Sequence, residues 1–87
     1  METQIFQRAK SYLQQQDISS ARMILQYAAS LGSGLSAMAL AETFDPNFAA
    51  HINLPTVDTS RSDARKWYYM ASRLGIKEAH ARLSALN

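Results

Sequence analysis

The sequence predicts an all-α fold: five helices arranged as about two and a half stacked antiparallel pairs, an α/α solenoid interrupted by one long loop. Three observations lead there. Apolar residues recur at three- and four-residue spacings in five stretches, the mark of a helix with one buried stripe. No segment alternates as a half-buried strand would. Residues 21–40 also match residues 64–83 without a gap, at a shift of 43 positions.

The first helix is expected from about Thr3 to Gln15, with Ile5, Phe6, Ala9, Tyr12 and Leu13 on its apolar side. Asp17 suits the N-cap of the second, whose stripe is Ala21, Ile24, Leu25, Ala28 and Leu31. Gly32 and Gly34 end it, because a helix exit favours a residue that can turn left-handed. The third covers about Leu35 to Phe44 and is rich in alanine. It stops at Asp45-Pro46, where proline pushes the preceding residue out of the α region. Residues 45–60 form the long connection. Pro46-Asn47-Phe48-Ala49-Ala50 can make one short turn capped by Asp45, whereas Leu54-Pro55 and Val57-Asp58 carry no helical pattern. Ser60 and Asp63 stand in capping-box spacing at the start of the fourth helix. Its stripe is Ala64, Trp67, Tyr68, Ala71 and Leu74, and Gly75 ends it. The fifth runs from about Lys77 to Leu86.

In the matched segments Ala21 meets Ala64, Arg22 meets Arg65, Ala28 meets Ala71, Leu31 meets Leu74, Gly32 meets Gly75 and Leu40 meets Leu83. The spacing has a physical reason. Alanines seven apart share a helix face and let a neighbouring helix approach closely. The bulky pairs between them, Ile24-Leu25 and Trp67-Tyr68, fill the space beside that contact, and Gly32 and Gly75 permit the reversal into the next helix.

The stretch Ala64-x-x-Trp67-Tyr68-x-x-Ala71-x-x-x-Gly75-x-x-x-Ala79-x-x-x-Leu83 resembles the signature of the Sel-one-like repeat, a relative of the tetratricopeptide repeat found in bacteria and eukaryotes. Ala9, Tyr12, Ala21, Leu25 and Ala28 resemble a first unit (about 3–32). Leu40, Ala41, Phe44, Ala64, Tyr68 and Ala71 resemble a second (about 35–75), and residues 77–87 a C-terminal half-unit or cap, all within one domain. Departures are plain: the connection after the third helix is about eleven residues longer than the one after the first, Asp45-Pro46 replaces the usual glycine-rich turn, and cysteine is absent. Thr43-Phe44-Asp45-Pro46, followed by a long loop and Trp67-Tyr68, resembles C-terminal repeat segments of alphaproteobacterial proteins.

Composition narrows the function classes. Eighty-seven residues suit one domain with a thin core, and 47% apolar content is that of a globular chain. Without cysteine there is neither a disulfide framework nor a thiolate metal site. No apolar run approaches a membrane span, and the first residues lack a signal-peptide pattern, so a cytoplasmic location is expected if Met1 is the natural start. Charge is uneven: residues 61–87 carry a net +4 and residues 1–60 a net −2. Scattered cations of this kind read first as solvated helix faces.

A function needs a site, and the chemical motifs are missing. His51 and His80 lie 29 residues apart with no partner at ligand spacing, so no metal is expected. Serines lack a nucleophile elbow or a His/Asp partner pattern, and no phosphate loop or dinucleotide fingerprint occurs. Glu42 and Asp45, at i and i+3, read as a helix-end charge pair rather than an acid/base couple. Trp67-Tyr68-Tyr69 beside Arg65 and Lys66 could stack nucleic-acid bases, but Trp67 and Tyr68 fall on the buried stripe, which makes nucleic acid the weaker expectation. The chain is therefore expected to be a non-catalytic, cofactor-free module that binds a protein or peptide. The resemblance implies that the first helix of each pair lines a concave groove, with Phe6, Lys10, Gln14, Met38, Glu42 and Glu78 facing the partner. A polar last helix bearing Lys77, Glu78, His80, Arg82 and Asn87 would close the array. The rival expectations are an oligomerisation or scaffold element of a larger protein, and a nucleic-acid adaptor using the basic C-terminal half.

Overall fold

In a computed structural model, which describes residues 2–49, 51 and 59–86, the chain forms α1 (Glu2–Gln14), α2 (Ile18–Ser30), α3 (Gly34–Phe44), α4 (Pro46–Ala49), α5 (Arg61–Arg73) and α6 (Glu78–Leu86). It is all-helical, with no strand among the described residues. Among the described residues six helices stand where five were expected. The additional one is α4, the single turn after Asp45-Pro46, where Asp45 accepts the Asn47 N–H at 2.8 Å. The sequence reading of Leu54-Pro55 and Val57-Asp58 falls outside the described residues.

Local chemistry explains the boundaries. Asp17, Ser33 and Ser60 each precede a helix and accept a backbone N–H from its first turn, from Ser20, Ser36 and Asp63 respectively. At Ser60 only half of a capping box forms, because its own N–H is donated to Phe44 O at 2.8 Å, tying the start of α5 to the end of α3. α1, α2 and α5 finish alike. Asp17 N–H bonds Tyr12 O and Gln16 N–H bonds Leu13 O; Ser33 to Ala28 with Gly32 to Ala29, and Ile76 to Ala71 with Gly75 to Ser72, repeat the pattern. The turning residue has φ 60° at Gln16, 100° at Gly32 and 96° at Gly75, so each end is a Schellman motif.

Gly34 does not belong to the turn it was expected to make; it opens α3. A Cβ there would lie 3.0 Å from Leu74 Cβ and Ile76 Cγ1 and 3.1 Å from Leu74 O, so a side-chain-free residue lets the α2–α3 turn meet the α5–α6 turn.

The helices pack in sequence: α1 on α2, α2 on α3, α3 on α5 and α5 on α6, with α4 against α3. The core takes Leu25, Leu40, Tyr68 and Trp67 as its bulk, with fully buried alanines at the helix contacts. Leu31 and Leu74, expected on the buried stripes, are instead the C-caps of α2 and α5 and stay exposed. Moved by 43 positions, the bounds of α2 coincide with those of α5, and the buried pairs Ala21/Ala64, Ala28/Ala71 and Leu25/Tyr68 fall in register. α6 buries Ala79 and Leu86 while His80, Ala81 and Ser84 stay exposed. Arg82, expected on its polar face, turns inward instead.

Candidate interaction cleft and a buried polar cluster

A helix that places residues four apart on one side brings Phe6, Lys10 and Gln14 into a row along α1. The three line one cleft of about 640 Å³ with Leu13 and Ala9 of the same helix, Leu25 of α2 and Ala39 of α3. Its floor is apolar and its rim carries Gln7, Ser11, Gln14 and the exposed cation Lys10. Chemically this suits an apolar anchor flanked by polar contacts.

The other residues expected to face a partner lie elsewhere. Met38 is 8% exposed and belongs to the core between helices, which makes it a packing residue. Glu42 is half-buried and engaged by Arg82, and Glu78 is exposed at the start of α6. None of the three lines the α1 cleft. Carrying a groove across from α1 to α3 by register missed that α3, with neighbours on both sides, buries six of its eleven residues.

Glu42, in the last turn of α3, and Asp45, at its C-cap, stand at the helix end as expected. Burial raises the Glu42 carboxyl, and the charge of Asp45 adds to the rise. The two are also arms of a cluster joining α3, α5 and α6. The Tyr68 hydroxyl donates to Asp45 Oδ2 at 2.7 Å. Arg82 Nη1 donates to Glu42 Oε2 at 2.9 Å and to the Tyr68 hydroxyl at 3.2 Å. The Arg82 guanidinium also lies 4.6 Å from the centre of the Phe48 ring on α4. Asp45 is 1% exposed and Tyr68 0%, so these are bonds made away from water, where an unpaired group is costly.

The electrostatics follow from burial. Burial pushes the Tyr68 hydroxyl well above its ordinary value, and the bond to Asp45 adds to the rise, so it stays a proton donor at neutral pH. Burial likewise raises the Glu42 carboxyl; the bond and charge of Arg82 pull it back only in part. For Arg82, burial works against the charge, but the bonds to Tyr68 and Glu42 outweigh it and the group is held more firmly protonated. None of the four residues lines the α1 cleft or the cleft edged by Leu31 and Leu35. Their arrangement is that of a lock between helices.

Two further contacts complete the ends. Arg22 of α2 donates to Thr43 Oγ1 at 3.0 Å and Thr43 O at 2.7 Å and lies 3.8 Å from the Phe44 ring centre. Arg61 donates to Leu86 O at 3.0 Å, so cations sit on the last carbonyls of both α3 and α6, where the helix dipole favours them.

No family model, curated protein or solved structure matches the chain. Among the described residues no helix is long and apolar enough to cross a membrane, and no group of three His, Asp or Glu side chains could hold a metal.

Proposed function

We propose that the chain is a non-catalytic interaction module, a short array of Sel-one-like helix pairs that binds a peptide or protein segment along α1. The observation that carries this is the cleft in which Phe6, Lys10 and Gln14 stand over Leu13, Leu25 and Ala39. It is large enough for one bulky apolar side chain, and its rim offers amides, a hydroxyl and one cation to the backbone and flanks of the bound segment. The array reading is supported by the equal bounds of α2 and α5 at a shift of 43, by their matching Schellman ends, and by helix contacts that run from neighbour to neighbour. At the same shift, buried Ala37 and Ala41 of α3 correspond to exposed His80 and Ser84 of α6, so the matched face is packed in one helix and polar in the other.

The test is a capture from lysate of the source cell with the wild-type chain and with Lys10→Glu/Gln14→Glu. Both positions are exposed and their replacement leaves the core intact. A protein retained by the wild type and lost by the variant supports the cleft; equal retention by both rejects it.

A second reading, self-association as part of a scaffold, is favoured by one observation. Leu31, Leu35 and Leu74 are 65%, 51% and 39% exposed, and the first two edge a cleft of about 480 Å³. Sedimentation across a wide concentration range separates the readings, since only self-association changes size with concentration.

A further inference from the structure

The sequence scatters cations over its last third, but the structure gathers four of them on one surface. At 100° per residue, Arg61, Arg65, Lys66 and Arg73 fall within an arc of about 140° on α5, opposite the buried Ala64, Trp67, Tyr68 and Ala71. All four are exposed, and none meets a carboxylate among the described residues. The one acid of the helix, Asp63, lies off this arc and is half-buried. Among the cations stands Tyr69, 55% exposed, with the Arg73 guanidinium 5.9 Å from its ring centre. Trp67 and Tyr68 are core, so the aromatic residue available on this face is Tyr69, a different residue from those the local sequence points to.

We infer that the outer face of α5 binds the backbone of single-stranded nucleic acid, with Arg61, Arg65, Lys66 and Arg73 on phosphates and Tyr69 as a stacking platform for a base. A convex helix face has no groove to enclose a peptide, but a polyanion of regular charge spacing needs only a row of cations. Arg61 and Arg65 are about 6 Å apart along the helix, Arg73 follows about 12 Å beyond Arg65 with Tyr69 between them, and the whole row spans about 18 Å. An exposed aromatic ring set among cations is the combination by which single strands are held without sequence readout, and it distinguishes this occupant from an acidic protein segment. This surface is separate from the α1 cleft, so either can fail without the other.

The experiment is fluorescence anisotropy with a labelled oligothymidylate of about 16 nucleotides, titrated at several salt concentrations. Four phosphate contacts predict a slope of log affinity against log salt near −2.8, which is about a fifty-fold loss between 50 and 200 mM salt. Arg65→Gln/Lys66→Gln/Arg73→Gln is expected to flatten the slope to about −0.7. Tyr69→Ala is expected to weaken binding at least about fivefold with the slope unchanged. Circular dichroism melts check that these surface variants stay folded. The inference is overturned by no binding at 50 mM salt, by a triple variant that binds as the wild type does, or by an oligoglutamate peptide that competes as well as unlabelled oligothymidylate. The last outcome would assign the face to an acidic protein.

Discussion

Replacing Tyr68 by Phe removes one oxygen from a fully buried site and leaves the ring in place. Asp45, 1% exposed, then loses the donor to Oδ2, and Arg82 keeps only its bond to Glu42. A hydrogen bond to a charged acceptor contributes about 1.5–3 kcal/mol, and the stranded carboxylate oxygen places the expected loss at the upper part of that range. A chain of this length has a total stability of roughly 4–13 kcal/mol, so Tyr68→Phe should be plainly destabilised. A loss of about 2 kcal/mol corresponds to a fall in Tm of roughly 8–16 °C for a domain of this size. Urea and thermal unfolding at pH 7, followed by circular dichroism, measure it. The adjacent Tyr69→Phe is the control: its hydroxyl is exposed and lies 3.4 Å from Arg73, so its loss should be within about 0.5 kcal/mol of wild type. If Tyr68→Phe is also within that margin, or if the two variants are equally costly, the cluster does not lock the helices as argued.

Three other outcomes follow from named contacts. Burial raises the Glu42 carboxyl, so the folded state binds its proton more tightly than the unfolded state. The associated stability is therefore present at low pH and lost as pH rises from the ordinary carboxylate range through the raised value. Glu42→Gln should accordingly gain on the wild type between pH 4 and pH 7 in urea unfolding; a wild type that gains on the variant would contradict the assignment. Gly34→Ala adds a methyl group 3.0 Å from Leu74 Cβ and 3.1 Å from Leu74 O, and should destabilise by about 1–3 kcal/mol even though alanine is the better helix former. A more stable variant would show that the two turns are not closely packed. Gln16 holds φ 60° at a Schellman position that glycine fills in α2 and α5, so Gln16→Gly should stabilise by up to about 1 kcal/mol in thermal melts. A destabilised variant would refute the left-handed geometry at that residue.

Helix identity and most boundaries were legible in the sequence because they are local. Asp17 and Ser60 cap by reaching three residues ahead, Gly32 and Gly75 turn left-handed because they lack a Cβ, and alanines seven apart necessarily share a face. Gln16 escaped notice because a non-glycine residue gives no local signal that it is left-handed; only comparison with the other two helix ends exposes it. Gly34 was misplaced for a different reason. Its lack of a side chain serves a contact with Leu74 and Ile76, some forty residues away, and not the turn beside it.

The candidate sites divide in the same way. That Phe6, Lys10 and Gln14 share one side of α1 follows from helical period. That this side faces a partner is what the resemblance implies, and the structure adds that the three line one cleft. That Met38 is enclosed and Glu42 tied to Arg82 depends on which helices flank α3, information that no stretch of α3 carries. Asp45, Tyr68 and Arg82 belong to three separate segments and meet only when α5 and α6 close on α3. The sequence by itself determined where the chain coils, turns and stops, since those choices rest on interactions within a few residues. The tertiary structure alone decided which charges are buried with partners and which are left in water, because desolvation depends on neighbours that sequence spacing does not specify.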